Sequence, residues 1–150
     1  MIQLDIYKDA EKNWRKDGVY HRLDGPAIVH QDGAQFWFNN GRLHRDGGPA
    51  MIHSPNHQEW YYNGMLHRTD GPAMIHPNGH QAWYNYGRIH RDNGPAIISI
   101  GSHQSWLRHG MPYRLDGPAR IWDNGNKEWW FDANPVSEYE HMFLTKATHD

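Results

Sequence analysis

The chain has 150 residues, a mass of 17.6 kDa, no Cys and a net charge of −2 at pH 7. The absence of Cys excludes disulfides and cysteine nucleophiles. The chain also lacks the excess of basic residues that favours nucleic acid as a partner. Its 15 Gly and 9 Pro argue against long helices, and 8 Trp and 8 Tyr supply core volume. No apolar run predicts a membrane span, and no leader pattern predicts secretion. We therefore expect one cytoplasmic domain over residues 1–150.

The chain begins with an alternating apolar and polar segment, which predicts a capping strand over residues 2–7. Trp14 and Gly18 stand one period ahead of the repeat described next. Residues 1–20 are therefore predicted to form an amino-terminal cap and half a repeat.

A repeat with a period of 23 residues follows. The heptapeptide His21-Arg22-Leu23-Asp24-Gly25-Pro26-Ala27 recurs from residues 44, 67 and 90, and again from 113 with Tyr in place of His. A Trp follows 16 positions after the start of each heptapeptide. Self-similarity at a fixed period is typical of stacked supersecondary units that pack mainly on their neighbours. We predict five units over residues 21–135.

Each unit contains two short apolar segments joined by a turn. In the first unit, residues 27–30 and 35–38 flank Asp32-Gly33, whose two residues both tolerate positive φ. A single hairpin is too small to fold alone, so stacking predicts an all-β repeat: one elongated antiparallel sheet of β-hairpins. Alternation places the Trp column on one face, and His30 and Tyr61 with their equivalents on the other.

The carboxyl-terminal segment departs from the repeat. Ser137 and Glu140 have the spacing of a capping box, and apolar residues follow at helical spacing. This pattern predicts a short capping helix over residues 138–147, within a terminal segment of residues 136–150.

The segment Asn63-Gly64-Met65-Leu66-His67, which joins an aromatic strand to the next unit, resembles a unit of the MORN repeat family, which also has a 23-residue period. The His-Arg-x-Asp-Gly-Pro-Ala form resembles a variety seen in phage and large-virus proteins. The resemblance implies a β-hairpin array and, by family analogy, a membrane-associated scaffold. Gln35 and its equivalents stand where MORN units usually have Gly, which argues against a membrane role.

The side chains of the heptapeptide favour structural roles. His21 and its equivalents recur once per unit, too far apart to share one ion, so each ring is expected to hydrogen-bond the backbone and no metal site is predicted. Arg22 and its equivalents are expected to bond Asp24 or turn carbonyls. Gly25 is read as supplying backbone freedom.

A second set of histidines flanks the hairpin turns. The rings expected to lie near one another across strands are His30, His53, His76, His57, His80 and His103. They indicate either a pH-responsive or ligand-contacting patch, or a solvated sheet edge.

No nucleophile elbow or phosphate-binding Gly loop occurs, so an enzyme is not expected and no cofactor is predicted. We expect a non-enzymatic protein–protein interaction module, with a phage accessory protein that binds and inhibits a host defence protein as its specific form. The alternatives are a small-ligand or nucleotide-binding protein, and a membrane-associated scaffold; a homo-oligomer through the open sheet face is also compatible. Departures from the repeat cluster in the fourth and fifth units, and interface hot spots favour Trp and Arg. The candidate binding residues are Arg120, Trp122, Trp130, Lys127, Arg108, His109, Tyr84 and Tyr61. The alternative is that the departures adapt the end of the array to pack under the capping helix.

Overall fold

Two consecutive β-hairpins make up each internal repeat unit. The structure is a computed structural model that describes residues 2–6 and 12–147. In chain order the strands are β1 (Ile2–Ile6), β2 (Lys12–Lys16), β3 (Val19–Tyr20), β4 (Ile28–Val29), β5 (Gln35–Phe36), β6 (Phe38–Asn39), β7 (Arg42–Leu43), β8 (Met51–Ser54), β9 (His57–Glu59), β10 (Tyr61–Tyr62), β11 (Met65–Leu66), β12 (Met74–Ile75), β13 (Gln81–Ala82), β14 (Tyr84–Asn85), β15 (Arg88–Ile89), β16 (Ile97–Ser99), β17 (His103–Ser105), β18 (Leu107–Arg108), β19 (Met111–Pro112), β20 (Arg120–Trp122), β21 (Lys127–Phe131) and β22 (Asn134–Val136). One helix, α1 (Glu138–Ala147), follows them.

The first hairpins of all units join into one antiparallel main sheet. Its order is β1-β2-β4-β5-β8-β9-β12-β13-β16-β17-β20-β21-β22, with β3 paired to β2. The register repeats from unit to unit: Gln35 pairs with Ile52, and Gln81 pairs with Ile98. The predicted fold class, an all-β repeat of stacked hairpins with a short capping helix, is confirmed.

The single sheet expected from the sequence is wrong in one respect. The segment read as one strand over residues 35–38 breaks at Trp37, and its second half pairs as β6 with β7. Hairpins β10-β11, β14-β15 and β18-β19 repeat this arrangement beside the main sheet. At the break, the Trp37 N–H donates to the Ala50 carbonyl of the next unit, while the Trp37 carbonyl accepts from His44 N–H. The backbone at Trp37 therefore bonds to two different segments.

The second hairpins close with a two-residue turn in which both residues have positive φ, as in Asn40 (47°) and Gly41 (76°). This combination matches the right-handed twist of the flanking strands. The turns of the main sheet differ from the expectation, because Gly33 has a φ of 88° whereas Asp32 is absent from the positive-φ residues. The Asp32 carboxylate instead accepts a hydrogen bond from Ala34 N–H.

The core is small and consists mainly of alanines. Ala27 and its equivalents in the five units are at most 1% exposed. Both terminal caps agree with the sequence within the described residues: β1 pairs with β2, and α1 begins after a capping box in which the Glu140 carboxylate accepts from Ser137 N–H. Position 7 of the predicted amino-terminal strand lies outside the described residues.

Candidate functional site

The arginine of each heptapeptide is held between a tryptophan and a glycine. The guanidinium carbon of Arg68 lies 4.0 Å from the ring centroid of Trp60, and a Cβ placed on Gly71 would lie 2.8 Å from the same carbon. Gly71 is therefore required by the close approach of the guanidinium, whereas the sequence analysis assigned this glycine to backbone freedom. The same stacking joins Arg22 to Trp14, Arg45 to Trp37, Arg91 to Trp83 and Arg114 to Trp106.

The remaining donors of these arginines bond to the turn, as the sequence predicted. Arg68 Nη1 donates to the Pro72 carbonyl at 3.2 Å, and its Nε donates to Asp70 at 2.7 Å. This charge-assisted bond lowers the pKa of Asp70, and Arg114 does the same for Asp116. The heptapeptide arginines therefore serve the fold.

The first histidine column is also structural, which confirms the sequence-based interpretation. His67 Nδ1 accepts the backbone N–H of Tyr86, a residue with a φ of 44° in the turn of the following hairpin. Equivalent bonds link His21 to Asn40, His44 to Asn63 and His90 to His109. Each ring thus ties the start of its unit to the turn of the second hairpin in the same unit.

Open grooves lie between successive heptapeptide turns. One of them, of about 650 Å³, is lined by Arg68, Asp70, Trp83 and Arg91 among others. Similar grooves of about 370 and 480 Å³ involve Arg45 and Arg22. Their walls combine cations, carboxylates and indole rings.

The second set of histidines forms a chain of neighbouring rings on one face of the main sheet. We call it the ring row: His30, Phe36, His53, His57, His76, His80, His103 and Trp122. Successive ring centroids lie 4.5–5.8 Å apart from His30 to His80, and His103 lies 6.5 Å from Trp122. Between these segments, His80 Nδ1 hydrogen-bonds the Ser99 hydroxyl at 2.7 Å. The expected proximity of these histidines across strands is confirmed, and their side chains are half-buried or exposed.

A buried carboxylate lies beside the ring row. Glu59 on β9 has a side chain that is 11% exposed, and its Oε1 lies 3.4 Å from His76 Nε2 and 3.9 Å from His57 Nε2. Its Oε2 accepts a hydrogen bond of 2.8 Å from the Tyr61 hydroxyl. Nitrogen and oxygen ligand atoms from His57, Glu59 and His76 all lie within 4.8 Å of one another.

The surroundings of this cluster shift several pKa values. Burial and the hydrogen bond to Glu59 raise the pKa of Tyr61, which keeps the phenol protonated as a donor. Burial, reinforced by His53 and His76, lowers the pKa of His57 despite the opposing effect of Glu59. Burial also lowers the pKa of His80. Neutral imidazoles with available lone pairs are thereby favoured.

Two of the residues selected from the sequence, Arg120 and Trp122, come together near the carboxyl-terminal end of the main sheet. Arg120 lies against the Trp122 ring at 5.3 Å and donates to Ser105 and Glu128, both at 3.1 Å. Trp130 belongs to the adjacent strand β21, where alternation puts it on the same face as Glu128.

The other selected residues lie elsewhere. Lys127 pairs with Ile121, on the face opposite Arg120. Arg108 and His109 belong to the hairpin β18-β19, where Arg108 stacks on Tyr113 and His109 on His90. Tyr61 and Tyr84 are half-buried beside Glu59.

Sequence reasoning missed Glu59, because it singled out only the departures from the repeat in the last two units. The signal was present, since the equivalent positions hold the uncharged Phe36, Ala82 and Ser105. The fifth unit also has a Glu there, Glu128, but its carboxylate accepts from Arg120 and not from histidines. The prediction that no metal would be bound considered only the first histidine column.

Searches with the sequence matched neither a known protein family nor a curated protein. Among the described residues, no helix is long and apolar enough to cross a bilayer.

Proposed function

We propose that the chain is a non-enzymatic protein-binding module that engages its partner through the ring row and the adjoining Arg120 and Trp122. The observation that carries this proposal is the row itself: half-buried and exposed rings extend across the main sheet from β4 to β20. Aromatic and arginine side chains dominate the energetic centres of protein interfaces.

The heptapeptide side chains outside the ring row support this assignment, because most of their polar groups already bond within the fold. The heptapeptide arginines are occupied by Trp rings and turn carbonyls, and the first histidine column is occupied by backbone N–H groups. The ring row makes mainly ring-to-ring contacts, and its side chains are half-buried or exposed. This face is thus the one with side chains available to a partner.

The carboxyl-terminal end of the row departs most from the repeat. Trp122 stands where the other units have His53, His76 or Ser99, and Arg120 stands where they have an apolar residue. The Arg120 guanidinium is held by Ser105 and Glu128, so it is presented in a fixed position. We place the energetic centre of the interface there.

The more specific parts of the proposal come from the sequence. The resemblance to viral forms of the MORN repeat favours a cytoplasmic host protein as the partner, and a defence protein that the module inhibits as its particular form. A second copy of the chain on the same face would instead produce a homo-oligomer.

The proposal is tested by purifying the tagged chain from host lysate and measuring any stoichiometric partner against variants by calorimetry. We expect Arg120→Ala/Trp122→Ala to lose binding while retaining its circular dichroism spectrum. Lys127→Ala, on the opposite face, is the matched control and is expected to bind normally. Equal binding by the double variant and the wild type would contradict the proposed surface.

The grooves between heptapeptide turns support a second candidate, a small anionic ligand or nucleotide. Arg68, Arg91 and Trp83 line the groove of about 650 Å³, a volume within the range of ligand sites. A nucleotide released on denaturing the purified chain, with no protein partner, would favour this function. Binding to lipid vesicles alone would instead favour the membrane-associated scaffold.

A further inference from the structure

We propose that His57, Glu59 and His76 bind a divalent transition-metal ion of the Zn²⁺ type. His57 and His76 belong to the ring row, but the site requires neither Arg120 nor Trp122, on which the test of the proposed interface depends. Failure of one proposal is therefore distinguishable from failure of the other.

The strand register brings the three ligands together. Met74 pairs with Glu59 and Ile75 with Gln58, so the next step of the same register sets His76 opposite His57. His57 and Glu59 are two residues apart on β9 and therefore project from the same face. Two paired strands thus supply all three side chains: β9 has the His-x-Glu pair, and the residue after β12 is the facing His.

The distances fit a small ion. Bonds of about 2.0–2.1 Å from Zn²⁺ to N or O place neighbouring ligands of a tetrahedron about 3.4 Å apart. Glu59 Oε1 and His76 Nε2 are already separated by 3.4 Å, and Glu59 Oε1 and His57 Nε2 by 3.9 Å. The ligand atoms of all three residues lie within 4.8 Å of one another, so metal binding would require the His57 ring, which is stacked on His53 at 4.5 Å, to move toward the other two.

The negative charge of the buried Glu59 carboxylate also favours a bound cation. Within the described residues, both ion-pair partners of Glu59 are histidines, although the carboxylate is only 11% exposed. Burying a carboxylate is costly unless a compensating charge or donor is present. The Tyr61 hydroxyl supplies a donor to Oε2, so Oε1 is left to face the two imidazoles.

Tyr61 is a positioning residue in this arrangement. Partners in the outer shell of a metal site fix the orientation of the ligands, and their loss weakens metal affinity by about 10–100-fold. The hydrogen bond of 2.8 Å to Glu59 has this role, and it leaves the three ligand atoms unchanged.

The other units act as internal controls. At the positions of His57, Glu59 and His76, the third unit has His80, Ala82 and Ser99, and the fourth has His103, Ser105 and Trp122. The first unit has Ala34, Phe36 and His53. Among the described residues, a three-ligand cluster forms at the junction of the second and third units.

The ligand set selects the class of metal. Imidazole nitrogen suits Zn²⁺, Ni²⁺ and Cu²⁺, whereas Mg²⁺ and Ca²⁺ prefer sites built entirely of oxygen. Three protein ligands leave a fourth position of the tetrahedron for water or another donor. The partial exposure of His57 and His76, 30% and 33%, gives that position access to solvent.

The test uses the full chain, treated with a chelator and then dialysed against ZnCl₂ with the bound metal counted. We expect about one tightly bound Zn²⁺ per chain in the presence of excess Mg²⁺. Glu59→Gln and His76→Gln should each weaken binding by more than about 100-fold, and Tyr61→Phe by about 10–100-fold. His103→Gln is the matched control, because it removes a ring-row imidazole at the equivalent position, and it should keep full affinity.

Substitution of Co²⁺ supplies a second readout, since its visible absorption distinguishes four-coordinate from six-coordinate binding. The tetrahedral spectrum should appear in wild type and His103→Gln and be lost in His76→Gln. The proposal is overturned if wild type binds no stoichiometric Zn²⁺, or if His103→Gln weakens binding as much as His76→Gln. The zinc content of wild type is measured without any variant. The proposal can therefore be overturned even if the variants fail to fold.

Discussion

The glycine of the heptapeptide shows how one residue type can serve two physical purposes. Gly25, Gly48, Gly71 and Gly117 lack positive φ, and each contacts the face of a guanidinium that is stacked on Trp at its other side. A side chain at any of these positions would push the arginine off the indole. Sequence alone could not distinguish this purpose from backbone freedom, because both require Gly.

We expect Gly71→Ala to lower the free energy of unfolding by about 1–3 kcal/mol, as other overpacking substitutions do. In an Arg68→Ala background, the same change should cost less than about 0.5 kcal/mol, because the group that clashes has been removed. Urea denaturation of the four proteins in this double-mutant cycle measures the difference. Equal costs in both backgrounds would mean that the backbone, and not Arg68, requires Gly.

The Asp70 carboxylate gives a prediction about pH. Its folded-state pKa lies below the ordinary value, chiefly because of the hydrogen bond from Arg68. Its contribution to stability is therefore present above about pH 4 and is lost as the pH falls through the folded pKa. Asp70→Asn should lower Tm by less than about 2 °C at pH 7, since the pair is exposed, and the difference should be smaller at pH 3 than at pH 7.

Asp123→Asn provides a matched charge change for that experiment, because its carboxylate makes no arginine contact within the described residues. Thermal melts at pH 7 and pH 3 should show no comparable convergence for this control. A larger effect of Asp70→Asn at pH 3 than at pH 7 would contradict the predicted sign.

At the scale of elements, the sequence predicted hairpins and helix well and missed the division within each unit. The capping helix was expected over residues 138–147, which is where α1 lies. The second hairpins were missed because Asn63-Gly64 was taken as the end of a strand, although this dipeptide is itself a strong hairpin signal. The break at the Trp depends on bonds to the next unit, and the sequence of one unit carries no sign of them.

The capping helix ends the array through His141 and leaves its larger apolar side chains in solvent. His141 is 2% exposed, donates from Nε2 to the Arg114 carbonyl at 2.8 Å, and lies 5.1 Å from the Trp129 ring. It thus covers Trp129, the last Trp of the periodic column, which has no heptapeptide arginine after it. Phe143 is 68% exposed.

We therefore expect His141→Ala to cost about 2–3 kcal/mol of unfolding free energy, and Phe143→Ala to stay within about 0.5 kcal/mol. Chemical denaturation with Trp fluorescence as the signal compares the two variants. A larger effect for the phenylalanine would mean that α1 packs through its apolar side chains instead of His141.

At the scale of the whole molecule, the regular register makes one unit removable. Deleting residues 90–112 joins two heptapeptides in the correct phase, so strands and histidine bonds find equivalent partners. We expect the shortened chain to fold with a smaller denaturant dependence, since stability in such arrays is close to a sum over units and their interfaces. Deleting residues 90–101, half a unit, is the matched control and should abolish cooperative unfolding.

The candidate sites were less predictable than the architecture. The ring row follows from alternation, and the sequence predicted that its histidines would lie close together. The cluster around Glu59 was missed, because it depends on how β9 and β12 register and on a hydroxyl, Tyr61, that reaches across from the next segment. Periodicity predicts what the units share, whereas these contacts arise where one unit differs.

The histidine bonds of the first column have a consequence for how the chain folds. Each one joins residues 19 apart in sequence, in whichever unit it lies. The entropy lost in closing a loop depends on the length of that loop. Every unit therefore carries the same entropic cost for this bond, and a longer array would have no larger separation to close than a short one. Folding can begin in any unit and spread in both directions, at a rate set by one unit and not by the number of strands.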